Sequence, residues 1–309
     1  MTMSEPRLEG VYRLGGGRRI GFAEYGPPDG RVIFWFHGTP GGSRQIAPSA
    51  RGAAEQLDVR LIALDRPGIG HSTAHAYRNI AEWADDVGDI ADRLGVGRFA
   101  CVGLSGGGPY VLACAARHPK RMVAGAILGG VAPSVGAEAI SGGVVGFARR
   151  FAPLISAFHG VAGHALHPLV RLALPVRSQV FDLYMAISPE GDKRVFRQPE
   201  MKAMFIDDIV QGTRRQAHAP VLDLVLFTRD WGFAVRDITV PIRLWQGDAD
   251  HIVPMAHAEH LASLIPNVEL KIRRGESHLG ALDAAEEIFG TLLELWPDER
   301  AELAELHNA

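Results

Sequence analysis

The alternation of short apolar runs with helical segments constrains the fold more than any other feature of this sequence. Such alternation is typical of a mostly parallel β-sheet covered by helices, the α/β class. The helical spacing is clearest over Asn79–Leu94, where apolar residues recur on one face and acids lie opposite. The predicted strands are Arg19–Tyr25, Arg31–Phe36, Val59–Leu64, Phe99–Gly103, Val123–Leu128, Ile242–Gln246 and Val268–Ile272, followed by a closing amphipathic helix around Leu279–Trp296.

This alternation is interrupted once, in the middle of the chain. From about Ser134 to Arg236 the sequence is helical in character, and glycines and prolines divide it into short pieces. A chain of 309 residues is long enough for one large α/β domain that carries an insertion. We therefore predict a core domain formed by residues 1–133 and 237–309, with a helical cap inserted over residues 134–236.

Composition excludes several other classes of protein. Hydrophobic residues make up 47% and charged residues 22% of the chain, which is ordinary globular usage. The formal net charge of -3, without clusters of Lys and Arg, argues against a nucleic-acid partner. The two cysteines form no disulfide framework, and the first ten residues lack an apolar signal core. We expect a cytoplasmic protein with a small-molecule substrate, as a monomer or a homodimer.

One apolar segment approaches the length of a membrane span. No formally charged residue occurs between Phe151 and Val170. The segment nevertheless contains two prolines and three histidines, which buried membrane helices rarely carry. We expect no membrane span and interpret the segment as an apolar part of the cap, while a weak contact with a membrane interface stays open.

The sequence Gly103-Leu104-Ser105-Gly106-Gly107 lies between a predicted buried strand and a predicted helix. This context is typical of a nucleophile elbow, a sharp turn that exposes a reactive serine. Because such a turn is crowded, its serine needs small neighbours, which Gly103 and Gly107 supply. A phosphate-binding loop would need GxGxxG or a GK[ST] ending, and neither is present. We interpret Ser105 as a nucleophile.

Together with this elbow, two further glycine-rich turns resemble the α/β-hydrolase superfamily. They are His37-Gly38-Thr39-Pro40-Gly41-Gly42 and Asp65-Arg66-Pro67-Gly68-Ile69-Gly70-His71-Ser72. The resemblance covers roughly residues 15–133 and 237–309, and the order of the motifs matches as well. It implies a serine hydrolase whose oxyanion hole is formed by the backbone N–H groups of Thr39 and Gly106. His37 and Asp65 lie at strand ends, where we expect them to brace the glycine-rich loops.

The fold places the partners of the serine in the order acid, then histidine. His278 follows the last predicted strand and resembles the family's catalytic base; His251 is the competitor, but it precedes that strand. The family pattern favours Asp250 as the acid, with Asp248 as the alternative, although an Asx-type turn suits Asp248 better. Two further histidines have a helical spacing of three residues, but lack a third metal ligand and are predicted to lie on a solvated helix face; they are His257 and His260.

A serine at the elbow points to an acyl-enzyme, whereas the haloalkane dehalogenases and epoxide hydrolases of this fold use an aspartate there. We predict a carboxylesterase-like hydrolase that needs no cofactor and no metal. The alternatives are a carbon–carbon bond hydrolase, an aminopeptidase resembling proline iminopeptidases, a cofactor-free perhydrolase, and a ligand receptor without catalysis. An aminopeptidase would need cap carboxylates such as Glu190 or Glu200. Eight apolar residues of the cap are candidates either for the roof of an apolar pocket or for the cap's own core: Phe147, Phe151, Leu154, Ile155, Phe158, Leu166, Leu169 and Leu172.

Overall fold

The computed structural model describes the backbone of residues 5–150 and 152–297, and the side chains of these residues except for some between 144 and 163. Within these residues eight strands form one sheet, in the order β1-β2-β4-β3-β5-β6-β7-β8. Strand β2 runs antiparallel to both of its neighbours, and all other neighbouring pairs are parallel. The strands are β1 (Leu8–Arg13), β2 (Arg19–Tyr25), β3 (Arg31–Phe36), β4 (Val59–Leu64), β5 (Phe99–Leu104), β6 (Met122–Leu128), β7 (Ile242–Gly247) and β8 (Val268–Arg273).

Helices cover both faces of this sheet and fill the chain between β6 and β7. Those of the described residues are α1 (Pro48–Gln56), α2 (Ala81–Arg93), α3 (Gly108–Arg117), α4 (Gly143–Arg150), α5 (Ala152–Ala173), α6 (Arg177–Ile187), α7 (Glu190–Phe196), α8 (Pro199–Gly212), α9 (Ala219–Phe227), α10 (Met255–Leu264) and α11 (Ala285–Glu294). Helices α4 to α9 all belong to the segment 134–236, which we call the inserted segment.

The sheet separates two hydrophobic clusters because side chains alternate along each strand. In β3, Phe34 and Phe36 pack against one cluster, which includes Trp83 of α2 and Leu112 of α3. Trp35 faces the other cluster, which includes residues of α1, α11 and the inserted segment. All residues of β3 after Arg31 are buried, so this strand reads as a continuous apolar run.

The predicted α/β-hydrolase fold class is confirmed, with two local corrections. Strand β1 was not predicted, because this edge strand is half-exposed and its sequence Leu8–Arg13 has no apolar run. The segment Leu279–Trp296 was predicted as one helix, but a short 3-10 turn over Gly280–Asp283 precedes α11. That turn stands between the loop after β8 and the helix.

Candidate active site

Ser105 occupies a strained position at the carboxyl end of the central strand β5. Its φ of 52° lies in the left-handed region, which non-glycine residues rarely adopt. A Cβ atom at Gly103 would lie 2.6 Å from the backbone of Gly107, and one at Gly107 would overlap the carbonyl oxygen of Phe36. The elbow therefore needs glycine at both positions, for the steric reason predicted from the sequence.

A chain of hydrogen bonds runs from Ser105 through His278 to Asp250. The Oγ of Ser105 lies 2.8 Å from Nε2 of His278, and Nδ1 of His278 lies 2.8 Å from Oδ2 of Asp250. Because a carboxylate accepts only, Nδ1 carries the proton and Nε2 accepts from the serine hydroxyl. All three residues follow parallel strands at the same edge of the sheet, since they come after β5, β7 and β8.

The carboxylate of Asp250 is buried and fixed from several sides. Its Oδ1 accepts hydrogen bonds from the backbone N–H groups of Ile252 and Val253, both at 2.9 Å. Its Oδ2 accepts a further bond from Nε2 of Gln246 at 3.0 Å. These donors hold the carboxylate in the orientation in which it meets the imidazole of His278.

The alternative residues in this region have other contacts. Asp248 is exposed and accepts the N–H of Gly275 at 2.7 Å, so it joins two loops rather than forming the predicted local Asx turn. His251 is exposed as well.

The two histidines of α10 do not share a solvated helix face. That prediction was wrong for His257, which is buried because α10 packs against the chain after β6. There its Nδ1 accepts the N–H of Ala132 at 3.0 Å. His260 bonds the carbonyl oxygen of Glu138.

A cavity of about 480 Å³ opens beside the serine and is mostly apolar. Ser105, His278 and the two residues predicted to form the oxyanion hole, Thr39 and Gly106, all line it. The inserted segment provides most of its apolar wall: Val170, Ala173, Leu174, Val180, Phe181, Phe205, Ile206, Ile209, Leu224 and Phe227. Arg177 is the one charged side chain that the described residues contribute to the lining.

The candidate pocket residues of the cap fall into two groups. The side chains of Phe147, Phe151, Leu154, Ile155 and Phe158 lie outside the described residues. Leu166, Leu169 and Leu172 do not line the cavity, and the last two are 63% and 78% exposed. Val170 and Ala173, which do line the cavity, each follow one of these leucines by a single turn of α5, Leu166 and Leu169 respectively. Leu172 lies on the other side of the helix from Val170.

Sequence reasoning missed three buried aspartates of the inserted segment. Each lies on a different helix and holds a loop next to the cavity. Asp192 of α7 accepts the N–H of Leu279 and the hydroxyl of Ser277, the two neighbours of His278. Asp208 of α8 accepts the N–H of Gly42 at 3.0 Å, and Asp223 of α9 accepts the hydroxyl of Thr39 at 2.6 Å. Acids on helices resemble surface charge in sequence, so no local signal separates these three from exposed residues.

His37 and Asp65 brace the glycine-rich loops, as the sequence indicated. Asp65 is buried and its two carboxylate oxygens accept the N–H groups of Ser43 and His71, at 2.7 and 3.1 Å. His37 is buried and accepts the N–H of Arg66 at its Nε2. Cys101 and Cys114 are both buried, in β5 and α3, which agrees with a packing role.

The family model for the α/β hydrolase fold matches residues 31–285, which is most of the chain. The chain belongs to the α/β-hydrolase fold family. A proline iminopeptidase of Neisseria gonorrhoeae is 26% identical over 87% of this chain and 90% of its own length. A bifunctional esterase/perhydrolase of Acinetobacter calcoaceticus is 28% identical over 89% of this chain and 94% of its own.

A likeness to solved structures extends over nearly the whole fold. The crystal structure of an esterase from a Rhodococcus species has a TM-score of 0.67, with 21% identity over 93% of this chain and 99% of its own. At that identity the likeness concerns the fold alone. Together with the family match, these relatives support a hydrolase and leave the type of bond that it cleaves to the chemistry of the site.

The described part of the chain has neither a metal-binding cluster nor a helix suited to span a membrane. No group of three or more His, Cys, Asp or Glu residues there is arranged to hold a metal ion. None of the helices in residues 5–150 and 152–297 combines the length and the apolar character that crossing a bilayer requires.

Proposed function

We propose that this α/β hydrolase cleaves carboxylic esters of small, apolar substrates through an acyl-enzyme on Ser105. The observation that carries the proposal is the hydrogen-bonded chain from Ser105 through His278 to Asp250, which opens onto an apolar cavity. A serine hydroxyl becomes a good nucleophile when a positioned histidine takes its proton. The distances of 2.8 Å on both sides of the imidazole meet that requirement.

The reaction proceeds in two halves on this geometry. The Oγ of Ser105 attacks the ester carbonyl carbon while its proton moves to Nε2 of His278, and Asp250 stabilises the imidazolium. The N–H groups of Thr39 and Gly106 donate to the oxyanion, and each such donor is worth about 10²–10³ in rate. The alcohol then leaves with the proton from His278, and water, activated by the same histidine, releases the acid.

The lining of the cavity favours a neutral ester over a peptide with a free amino terminus. An aminopeptidase must bind the ammonium group of its substrate, for which a carboxylate is the natural partner. None of the described lining residues is acidic, and the residues without described side chains between 144 and 163 include no Asp or Glu in the sequence. Glu190 and Glu200 do not line the cavity, and Glu190 pairs with Arg197 at the surface.

The test compares ester and amide substrates on the same protein. A series of p-nitrophenyl esters of increasing acyl length and L-proline p-nitroanilide are assayed with the wild-type chain and with Ser105→Ala. We expect ester turnover with an optimum at one acyl length, little amide turnover, and near-complete loss in the variant. A higher kcat/KM for the prolyl amide than for every ester would overturn the proposed specificity. Ester turnover that survives in Ser105→Ala would overturn the mechanism.

A further inference from the structure

The loop that carries Thr39 is held by an arginine from the neighbouring loop. Arg66 follows β4, is 1% exposed, and donates to two successive carbonyl oxygens of the loop after β3. Its Nη1 lies 2.6 Å from the carbonyl oxygen of His37, and its Nη2 lies 2.8 Å from that of Gly38. The same Nη2 lies 3.0 Å from Oγ1 of Thr39. One guanidinium thus bonds three consecutive residues of the loop.

His37 completes the grip on the Gly38 carbonyl. Its Nδ1 lies 2.8 Å from that oxygen, while its Nε2 accepts the backbone N–H of Arg66 at 3.2 Å. Burial, together with the nearby Arg66 charge, lowers the pKa of His37 well below its ordinary value. The ring is therefore neutral, with its proton on Nδ1, and both of its nitrogens are used to fix the loop.

The guanidinium of Arg66 is in turn fixed by an acid of the inserted segment. Asp223 of α9 is 3% exposed and forms an ion pair with Arg66, at 2.7 Å from Nη2 and 3.0 Å from Nε. The same carboxylate accepts the hydroxyl of Tyr110 from α3, at 2.6 Å, and that of Thr39, also at 2.6 Å. Asp223 therefore connects α9 to the loop after β3, to Arg66 and to α3.

The direction of one peptide group follows from these bonds. The Gly38–Thr39 peptide is trans, so the carbonyl of Gly38 and the N–H of Thr39 point in opposite directions. The carbonyl is bound on the buried side by Arg66 and His37. The N–H consequently points away from that side, and it donates to no acceptor among the described residues. Gly38 and Thr39 both line the cavity next to Ser105.

We infer that Asp223 is a positioning residue that, through Arg66 and the Thr39 hydroxyl, aims the Thr39 N–H at the oxyanion. This inference rests on the proposed function. It assigns to α9 a part in the rate of the reaction in addition to a part in the wall of the cavity. Since the donor must be in place before charge develops, a loosened loop lowers kcat more than it changes KM.

Substitution of Thr39 tests this inference with the least disturbance of the fold. Thr39→Val removes the hydroxyl but leaves the backbone N–H, whereas Thr39→Ser keeps both. We expect Thr39→Val to lower kcat for the best p-nitrophenyl ester about 10-fold, with KM within about threefold. The kcat of Thr39→Ser should lie within about threefold of the wild-type value. Equal kcat values for Thr39→Val and the wild-type chain would overturn the inference.

Asp223→Asn removes the charge that fixes Arg66, and its matched control is Glu138→Gln. Glu138 is also a buried acid of the inserted segment that pairs with an arginine, Arg236, and accepts backbone N–H groups, but it does not contact the loop after β3. We expect kcat to fall about 10- to 100-fold in Asp223→Asn and less than threefold in Glu138→Gln. Equal losses in the two variants would mean a structural role and would overturn the inference.

Labelling by a fluorophosphonate separates this inference from the proposed function. The Oγ of Ser105 gives its proton to Nε2 of His278 and bonds to the phosphorus of the probe, and fluoride leaves. The phosphoryl oxygen of the probe uses the same N–H donors as an ester would. If the wild-type chain turns over no ester, the proposed ester hydrolase is wrong, but the labelling rates still compare the variants. Slower labelling of Thr39→Val than of Thr39→Ser would then support the inference, and equal rates would overturn it.

Discussion

Asp208 makes the stability of this protein depend on pH in a direction opposite to that of most carboxylates. The residue lies on α8, is 2% exposed, and accepts the N–H of Gly42 at Oδ2. Its Oδ1 has no hydrogen-bond partner among the described residues. Burial, followed by the nearby carboxylate of Asp65, raises the pKa of Asp208 to about 8.

The sign and size of the effect follow from proton linkage. In the unfolded chain the pKa of an aspartate is about 3.9, so the folded state holds a proton on Asp208 that the unfolded state releases. The stabilisation is fully present below that value and is lost as pH rises through the folded pKa of about 8. Between those limits the free energy of unfolding falls by about 1.4 kcal/mol per pH unit, or about 2.7 kcal/mol from pH 5 to pH 7.

The variant Asp208→Asn isolates this contribution, because an amide resembles the protonated acid and does not titrate. Urea unfolding of both proteins at pH 5, 6, 7 and 8 gives the difference in unfolding free energy at each pH. We expect the unfolding free energy of Asp208→Asn, relative to that of the wild-type chain, to increase with each step up to pH 8. This holds whichever of the two proteins is more stable at pH 5. Glu200→Gln is the control on the same helix, where the acid is only half-buried. Parallel pH profiles for the wild-type chain and Asp208→Asn would refute the reasoning.

Four other substitutions test the site and the elbow that carries Ser105. Asp250→Asn should lower kcat by about 10³-fold or more, because the imidazole loses its orienting carboxylate. Asp248→Asn should keep kcat within about threefold of the wild-type value. Steady-state kinetics that reverse this order would assign the acid to Asp248. Phe181→Ala should shift the ester optimum to longer acyl chains and cost about 3 kcal/mol in urea unfolding, and an unchanged chain-length profile would contradict the pocket. Gly107→Ala should cost more than about 2 kcal/mol, since its Cβ would overlap the carbonyl of Phe36; stability like that of the wild-type chain would contradict the packing of the elbow.

Buried parallel strands could be predicted from the sequence because both of their faces are apolar. Arg31–Phe36 and Val59–Leu64 have the bounds that an apolar run indicates. Edge strand β1 could not be predicted in this way, since the partly exposed face of Leu8–Arg13 carries polar residues and leaves no run. A strand that carries an apolar run in its own sequence could therefore be predicted. A strand that forms because it pairs at the edge of the sheet could not.

The same distinction holds at the site. Ser105, His278 and Asp250 each stand in a short motif at the end of a strand, so their meeting at one edge of the sheet could be expected. Asp223 could not be found, because its partner Arg66 lies 157 residues away and an acid on a nine-residue helix resembles a solvated one. The apolar wall formed by α6 and α8 was also missed. A periodic apolar face predicts that a helix side is buried, but it does not show whether that side packs on the core or lines a cavity.

The central claim is that Ser105 is the nucleophile of a hydrolase, and covalent labelling tests it most directly. The folded protein is treated with a fluorophosphonate, with and without a competing p-nitrophenyl ester, and then analysed by intact mass and peptide mapping beside Ser105→Ala. We predict a single adduct on Ser105 that the ester slows and that the variant lacks. An adduct on another residue, or none on the folded wild-type chain, would contradict the account.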